Sequence, residues 1–202
     1  LDVPGIDVKA ALTQPAEVLI IMLGMNDVLA PYVVDEPAAW GEWMANYRHL
    51  IAALRARLRP TVIALAGATL CTEDLTSPKN CILDKLNTQA ATLAKELNLL
   101  WLPTNETMRD VLQQGRRLKP DFHVTYDYVH PNEPGHIAIA IAMLRGLGEE
   151  SAAKAIAEQR LPQALEKSAG VPPRLSFEVK PMPTPLKDER QGFRVHYWLS
   201  GV

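Results

Sequence analysis

The chain is short of several things, and each shortage closes a class of function. No apolar run reaches the ~20 residues that a membrane-spanning helix needs, so no membrane span is predicted. Neither sign of charge dominates: 21 Lys and Arg stand against 23 Asp and Glu, a formal charge of −2. Binding to nucleic acid or to an anionic membrane would call for a basic excess that is not there. Cysteine is confined to Cys71 and Cys81. With no CxxC and no neighbouring His, they supply no metal-ligand set. They flank the polar stretch 72–80, where either a disulfide closing the loop or two independent thiols would fit. No internal repeat or low-complexity tract stands out. No signal-peptide pattern is visible, an absence without weight in a chain that opens on Leu1 rather than Met. Most telling is the shortage of a placed nucleophile. Ser77, Ser151, Ser168, Ser176 and Ser200 all lie outside any strand-to-turn setting that would expose a reactive hydroxyl.

What is present describes an ordinary globular protein. Its 202 residues, 48% apolar and 22% charged, suffice for one domain with a substantial core and part of another. Two segments carry chemistry. The first is Glu17-Val-Leu-Ile-Ile-Met-Leu-Gly24-Met25-Asn26-Asp27. A short apolar run ending at a glycine reads as a fully buried strand of a parallel sheet. Asn26 and Asp27 then emerge at the strand's carboxyl end, the edge where open parallel sheets bind ligands. The second is Asp127-Tyr-Val-His130-Pro-Asn-Glu-Pro-Gly-His136, which places an Asp and a His three residues apart in a Pro- and Gly-punctuated loop before an apolar helical run.

Periodicity fills in the rest. Asp35-Glu-Pro37 starts a helix whose apolar face repeats at three and four spacing from Trp40 to Leu58, ended by Pro60. Thr61–Ala66 is a second buried strand, a helix follows through Leu83, Leu86, Ala90, Leu93 and Leu97, and Leu99–Leu102 is a third strand. A helix from about Asn105 to Gln114 should stop at Gly115, and Asn132 should cap a largely buried helix from Glu133 to about Leu147. Alternating strands and helices indicate an α/β layer fold. Three segments are expected: residues 1–150 as the α/β domain, 151–173 as a helical linker, and 174–202 as the start of a β-rich second domain or an arm packed on the first. In the last, Arg174–Lys180 and Phe193–Leu199 alternate like strands.

Gly24-Met25-Asn26-Asp27 and Asp127-Tyr128-Val129-His130-Pro131 resemble blocks three and five of the SGNH, or GDSL-type, hydrolases. The resemblance covers roughly residues 13 to 148. It implies a three-layer α/β/α, flavodoxin-like fold with a parallel sheet. It also implies a serine esterase acting on a small acyl ester or an acetylated carbohydrate, with a lipid ester as runner-up, without cofactor or metal, and it points to a secreted or periplasmic setting. In that family His130 would be the general base, Asp127 would orient it, and Asn26 would donate to the oxyanion. The Gly-Asp-Ser block that carries the family's nucleophile precedes block three and has no counterpart in residues 1–16. On this reading the first two strands are absent, the nucleophile comes from outside the chain, and the chain alone is inactive. The strand at 17–23 would then leave an apolar edge that invites self-association.

Each residue has a plainer alternative. His130 could only cap the turn before Pro131, and Asn26 could be an ordinary turn residue. Asp27 reads as structural, His136 as a satisfied helix histidine, and His123 as either a pocket residue or a packed one. The dense run Asp121, His123, Asp127, His130 and His136 could instead bind a metal. A non-catalytic scaffold that binds a partner or glycan is the remaining alternative.

Overall fold

The computed structural model describes residues 15–29, 37–167, 174–181 and 193–200. Three parallel strands form the sheet in the order β1 (Val18–Met22), β2 (Val62–Ala66), β3 (Leu100–Leu102). Val18 pairs with Val62 and Met22 with Ala66, and Ala64 pairs with Leu100. Parallel neighbours need a crossover. After β1 come the short α1 (Met25–Leu29) and the long α2 (Pro37–Leu58), and after β2 comes α3 (Pro78–Glu96). The long helix ends before Pro60, as the sequence predicts. Arg59 adopts a φ of 45 between the last turn of α2 and Pro60, and Ser77 caps α3 by accepting from the Asn80 N–H.

One face of the sheet is well covered. Ile21, Ile63 and Leu65 pack against Tyr47 and Ile51 of α2 and Ala90, Leu93 and Ala94 of α3. On the other face Ala64, Ala66 and Leu102 meet Met143 and Leu147 from α5 (Glu133–Gly146) and its cap. That cover does not extend to β1. Val18, Ile20 and Met22 are 48%, 37% and 43% exposed. The expectation of a fully buried strand is therefore corrected: only Leu19 and Ile21 enter the core, because α5 lies over β2 and β3 alone.

A second cluster holds α4 (Thr104–Leu118) to α5. Leu70, Met108, Val111, Leu112, Phe122, Val124 and Ala138 are its buried members, with Leu161 and Leu165 of α7 (Leu161–Lys167) packed on it after α6 (Glu150–Gln159). Here α4 runs through Gly115 instead of stopping there. A Cβ at Gly115 would lie 2.1 Å from Phe122 Cδ1, so this glycine serves a close approach rather than a helix end. Beyond residue 173, β4 (Arg174–Pro181) pairs antiparallel with β5 (Phe193–Ser200), Arg174 opposite Ser200.

Candidate active site

The site is assembled from three loops. The first leaves β1, where Gly24 turns the chain with a φ of +117. That conformation excludes most L side chains, and a Cβ there would also fall 2.5 Å from Leu86 Cδ2. The turn puts Asn26 in the first turn of α1 with its side chain exposed. Asp27 faces a separate cavity shared with Trp43, Asn46 and Tyr47.

The second loop, 67–74, leaves β2 and is held by buried polar side chains. Thr104 Oγ1 donates to the Gly67 carbonyl. Asn87 grips Ala68 from both sides, its Oδ1 accepting from the N–H at 2.9 Å and its Nδ2 donating to the carbonyl at 3.0 Å. Asn105 Nδ2 donates to the carbonyls of Ala68 and Thr69. Asn80 accepts from the Cys71 N–H and donates to the carbonyls of Thr72 and Asp74. A loop with its backbone groups satisfied in this way is rigid without being regular.

The third loop holds the Asp and the His. Its base is closed by a Thr125–Pro131 bridge and by the Tyr126 N–H donating to the His130 carbonyl at 2.8 Å. Within it Tyr128 takes a φ of 75, and Asp127 Oδ1 accepts from the backbone N–H groups of Val129 and His130 at 3.1 and 2.8 Å. The other carboxylate oxygen lies 2.7 Å from His130 Nδ1. That leaves Nε2 as the ring nitrogen not engaged by Asp127. Partial burial alone would raise the Asp127 carboxyl. The hydrogen bonds from the His130 backbone and ring and from Val129, with the imidazole charge, outweigh it and hold the group below the usual carboxylate range.

Asn26 and His130 line one cavity of about 250 Å³, with Met22, Leu23, Met25, Ala68, Thr69, Val129 and Pro131 completing its wall. The structure thus brings Asn26, Asp127 and His130 to the same end of the sheet. A larger groove of about 540 Å³ between α3 and α4, around the Arg109–Asp84 pair, is lined by none of the three.

The remaining histidines go elsewhere. His123 turns inward to Glu73, its Nδ1 2.6 Å from Oε2, and His136 is exposed in the first turn of α5. Among the described residues no group of three or more His, Cys, Asp or Glu side chains converges where a metal could sit. The metal-cluster alternative is corrected accordingly, since Glu73 and Asp127 draw His123 and His130 to separate partners. Both cysteines are free: Cys71 is buried, with Sγ 3.5 Å from Met25 Sδ, and Cys81 is exposed. Of the two readings left open, the structure has independent thiols.

Residues 3–138 match the model of the GDSL-like Lipase/Acylhydrolase family. The chain belongs to that family. An acetylxylan esterase from Geobacillus stearothermophilus is 26% identical over 143 residues, 69% of this chain and 63% of the relative. A crystal structure of Axe2, an acetylxylan esterase from the same organism, superposes with a TM-score of 0.55 at 26% identity, over 70% of this chain and 63% of that one. An alpha/beta hydrolase enzyme from the metagenome of Lake Arreo, Spain, gives a TM-score of 0.56 at 20% identity, over 71% and 64% of the two chains, and bears on the fold alone. The chain thus spans about 63% of the length of the curated relative it matches. The family and its α/β fold with a parallel sheet are those implied by the two sequence blocks.

Proposed function

We propose that this chain carries the general base, its orienting carboxylate and an oxyanion donor for hydrolysis of short acyl esters, with acetylated carbohydrate as the substrate class. One observation carries the reading. His130 has Nδ1 held by Asp127 and lines a cavity together with Asn26. In this mechanism Nε2 takes the proton of an attacking hydroxyl and returns it to the leaving alcohol. Asp127 accepts from Nδ1–H, fixing the tautomer and stabilising the imidazolium. The Asn26 amide donates to the oxygen that gains charge as the carbonyl becomes tetrahedral. Water then hydrolyses the acyl intermediate by the same proton route in reverse. The acetyl preference rests on the acetylxylan esterase relative and on the small apolar wall given by Ala68, Met25 and Val129.

Among the described residues the wall of the cavity contains no serine or cysteine, and its one hydroxyl side chain, Thr69, is buried. The nucleophile is therefore assigned to a segment outside this wall, and the 202-residue chain alone is expected to leave p-nitrophenyl acetate intact to the level of its His130→Ala variant. Expressed with an N-terminal segment that carries a Gly-Asp-Ser block, the chain should hydrolyse the ester. His130→Ala should abolish that activity, and Asn26→Ala should lower kcat by about 10²–10³. Turnover by the chain alone above the His130→Ala level would overturn the external nucleophile. Turnover of the extended protein that survives His130→Ala would overturn the base assignment. An extended protein that folds and binds acetylated oligosaccharide without hydrolysing it would favour a binding scaffold.

A further inference from the structure

Glu73 is 2% exposed, a placement that an ionised carboxylate tolerates only when fully partnered. It is fully partnered. Oε1 accepts from the N–H groups of Val124 and Thr125, both at 2.9 Å, and from Thr125 Oγ1 at 2.5 Å. Oε2 accepts from Arg116 Nη2 at 2.9 Å and lies 2.6 Å from His123 Nδ1. Arg116 closes the group by donating to the Glu73 carbonyl at 2.9 Å and to that of Phe122 at 3.3 Å.

The location of these partners gives the carboxylate a role beyond holding the fold. Val124 and Thr125 form one side of the base of the Asp127–His130 loop, and Thr125 bridges Pro131 on the other side. Asn132 also ties this base, its Nδ2 donating to the His123 carbonyl at 3.0 Å. Glu73 itself belongs to the loop that puts Ala68 and Thr69 into the cavity wall, and that loop is pinned by Asn80, Asn87 and Asn105. The pinned backbone of that loop and the hydrogen bonds of one buried carboxylate therefore connect the cavity wall to the frame that carries the imidazole. We propose that Glu73 is a positioning residue, which locks the base of the Asp127–His130 loop to the cavity-wall loop and so fixes the pair relative to Asn26. This rests on the assignment of Asp127 and His130 as the catalytic pair. Supporting shells of this kind are what hold a reactive geometry to fractions of an ångström.

The test uses the chain itself, labelled with ¹³C at the Asp carboxyl carbons, and reads Asp127 against pH together with amide exchange. Glu73→Gln keeps the shape but turns an NH₂ donor toward Arg116 and His123. Thr125→Val is milder and removes one hydroxyl. In Glu73→Gln the amides of Val124 and Thr125 should exchange about tenfold faster or more, as expected for losing a charged acceptor, while Ala64 and Leu65 of β2 stay protected. The Asp127 midpoint should move up toward the ordinary value of about 3.9. Thr125→Val should show the same direction with a smaller amplitude, and it decides the matter if Glu73→Gln does not fold. Faster exchange at Val124 and Thr125 with the Asp127 curve unmoved would make Glu73 a structural anchor only and overturn the proposal, as would unchanged exchange. Failure of the catalytic assignment shows elsewhere, as esterase turnover that survives His130→Ala, and leaves these readings intact.

Discussion

Asp127 works against its own burial, and its titration shows which influence wins. Desolvation favours the neutral acid, yet two backbone N–H groups and the imidazole hold the carboxylate below its usual range. A depressed folded-state value means that the ionised group stabilises the fold above the unfolded value of about 3.9, and that this contribution is lost as pH falls through the folded value. The side chain is 39% exposed, so the effect should stay under about 1 kcal/mol. The urea midpoint of Asp127→Asn should accordingly lie below that of the parent at pH 7, with the gap closing in acid. A gap that widens on acidification would contradict the sign. The two thiols give a second residue-scale contrast. Burial pushes Cys71 up to about 11, with Lys79 opposing and Asp84 reinforcing the shift, whereas Cys81 is exposed. A thiol reagent at pH 8 should therefore find one fast site, abolished by Cys81→Ser, and one that reacts only slowly. A Cys71–Cys81 crosslink in non-reduced peptide maps would refute the free-thiol structure.

At the scale of elements, what could be read from the sequence was what is local. Asp127 and His130 are three residues apart in one loop, so their pairing needed no knowledge of the fold, and the Gly24 turn and the Asn132 cap are likewise local. Glu73 was illegible for the opposite reason. It sits in a polar stretch that reads as solvated, and its burial depends on Arg116, His123, Val124 and Thr125, which lie 43 to 52 positions away. The exposed face of β1 was hidden because Val18, Ile20 and Met22 are as apolar as Leu19 and Ile21, so hydrophobicity does not show which face a helix covers. Gly115 misled because a glycine that ends a helix and one that admits a neighbour look alike. Two substitutions separate these roles. Gly41→Ala in α2 meets nothing within 4 Å and should stabilise by up to about 1 kcal/mol through helix propensity. Gly115→Ala gains the same propensity but drives a methyl into the buried Phe122 ring, where overpacking costs about 1–3 kcal/mol. Chemical denaturation should give opposite signs for the two, and stabilisation by both would show that Phe122 has room to shift.

At the scale of the whole molecule the unsatisfied feature is the strip along β1. Val18, Ile20, Met22 and Leu23 are 37% to 48% exposed, and among the described residues β1 has a strand partner only in β2. A contiguous apolar strip beside an open strand edge attracts another chain, because burial removes apolar area from water and pairing satisfies backbone groups together. The chain is therefore expected to self-associate with rising concentration. Sedimentation velocity should show a growing weight-average mass, and Ile20→Lys, which sets a charge on the exposed side of the strand, should return the distribution toward monomer without loss of the sheet. Met22 and Leu23 also line the cavity that holds Asn26 and His130. Whatever covers the strip therefore also narrows or completes the mouth of the site, and Ile20→Lys should leave the Asp127 titration unchanged while altering association. A monodisperse monomer at every concentration would mean that the strip is already shielded in solution, and the association would then have no driving surface.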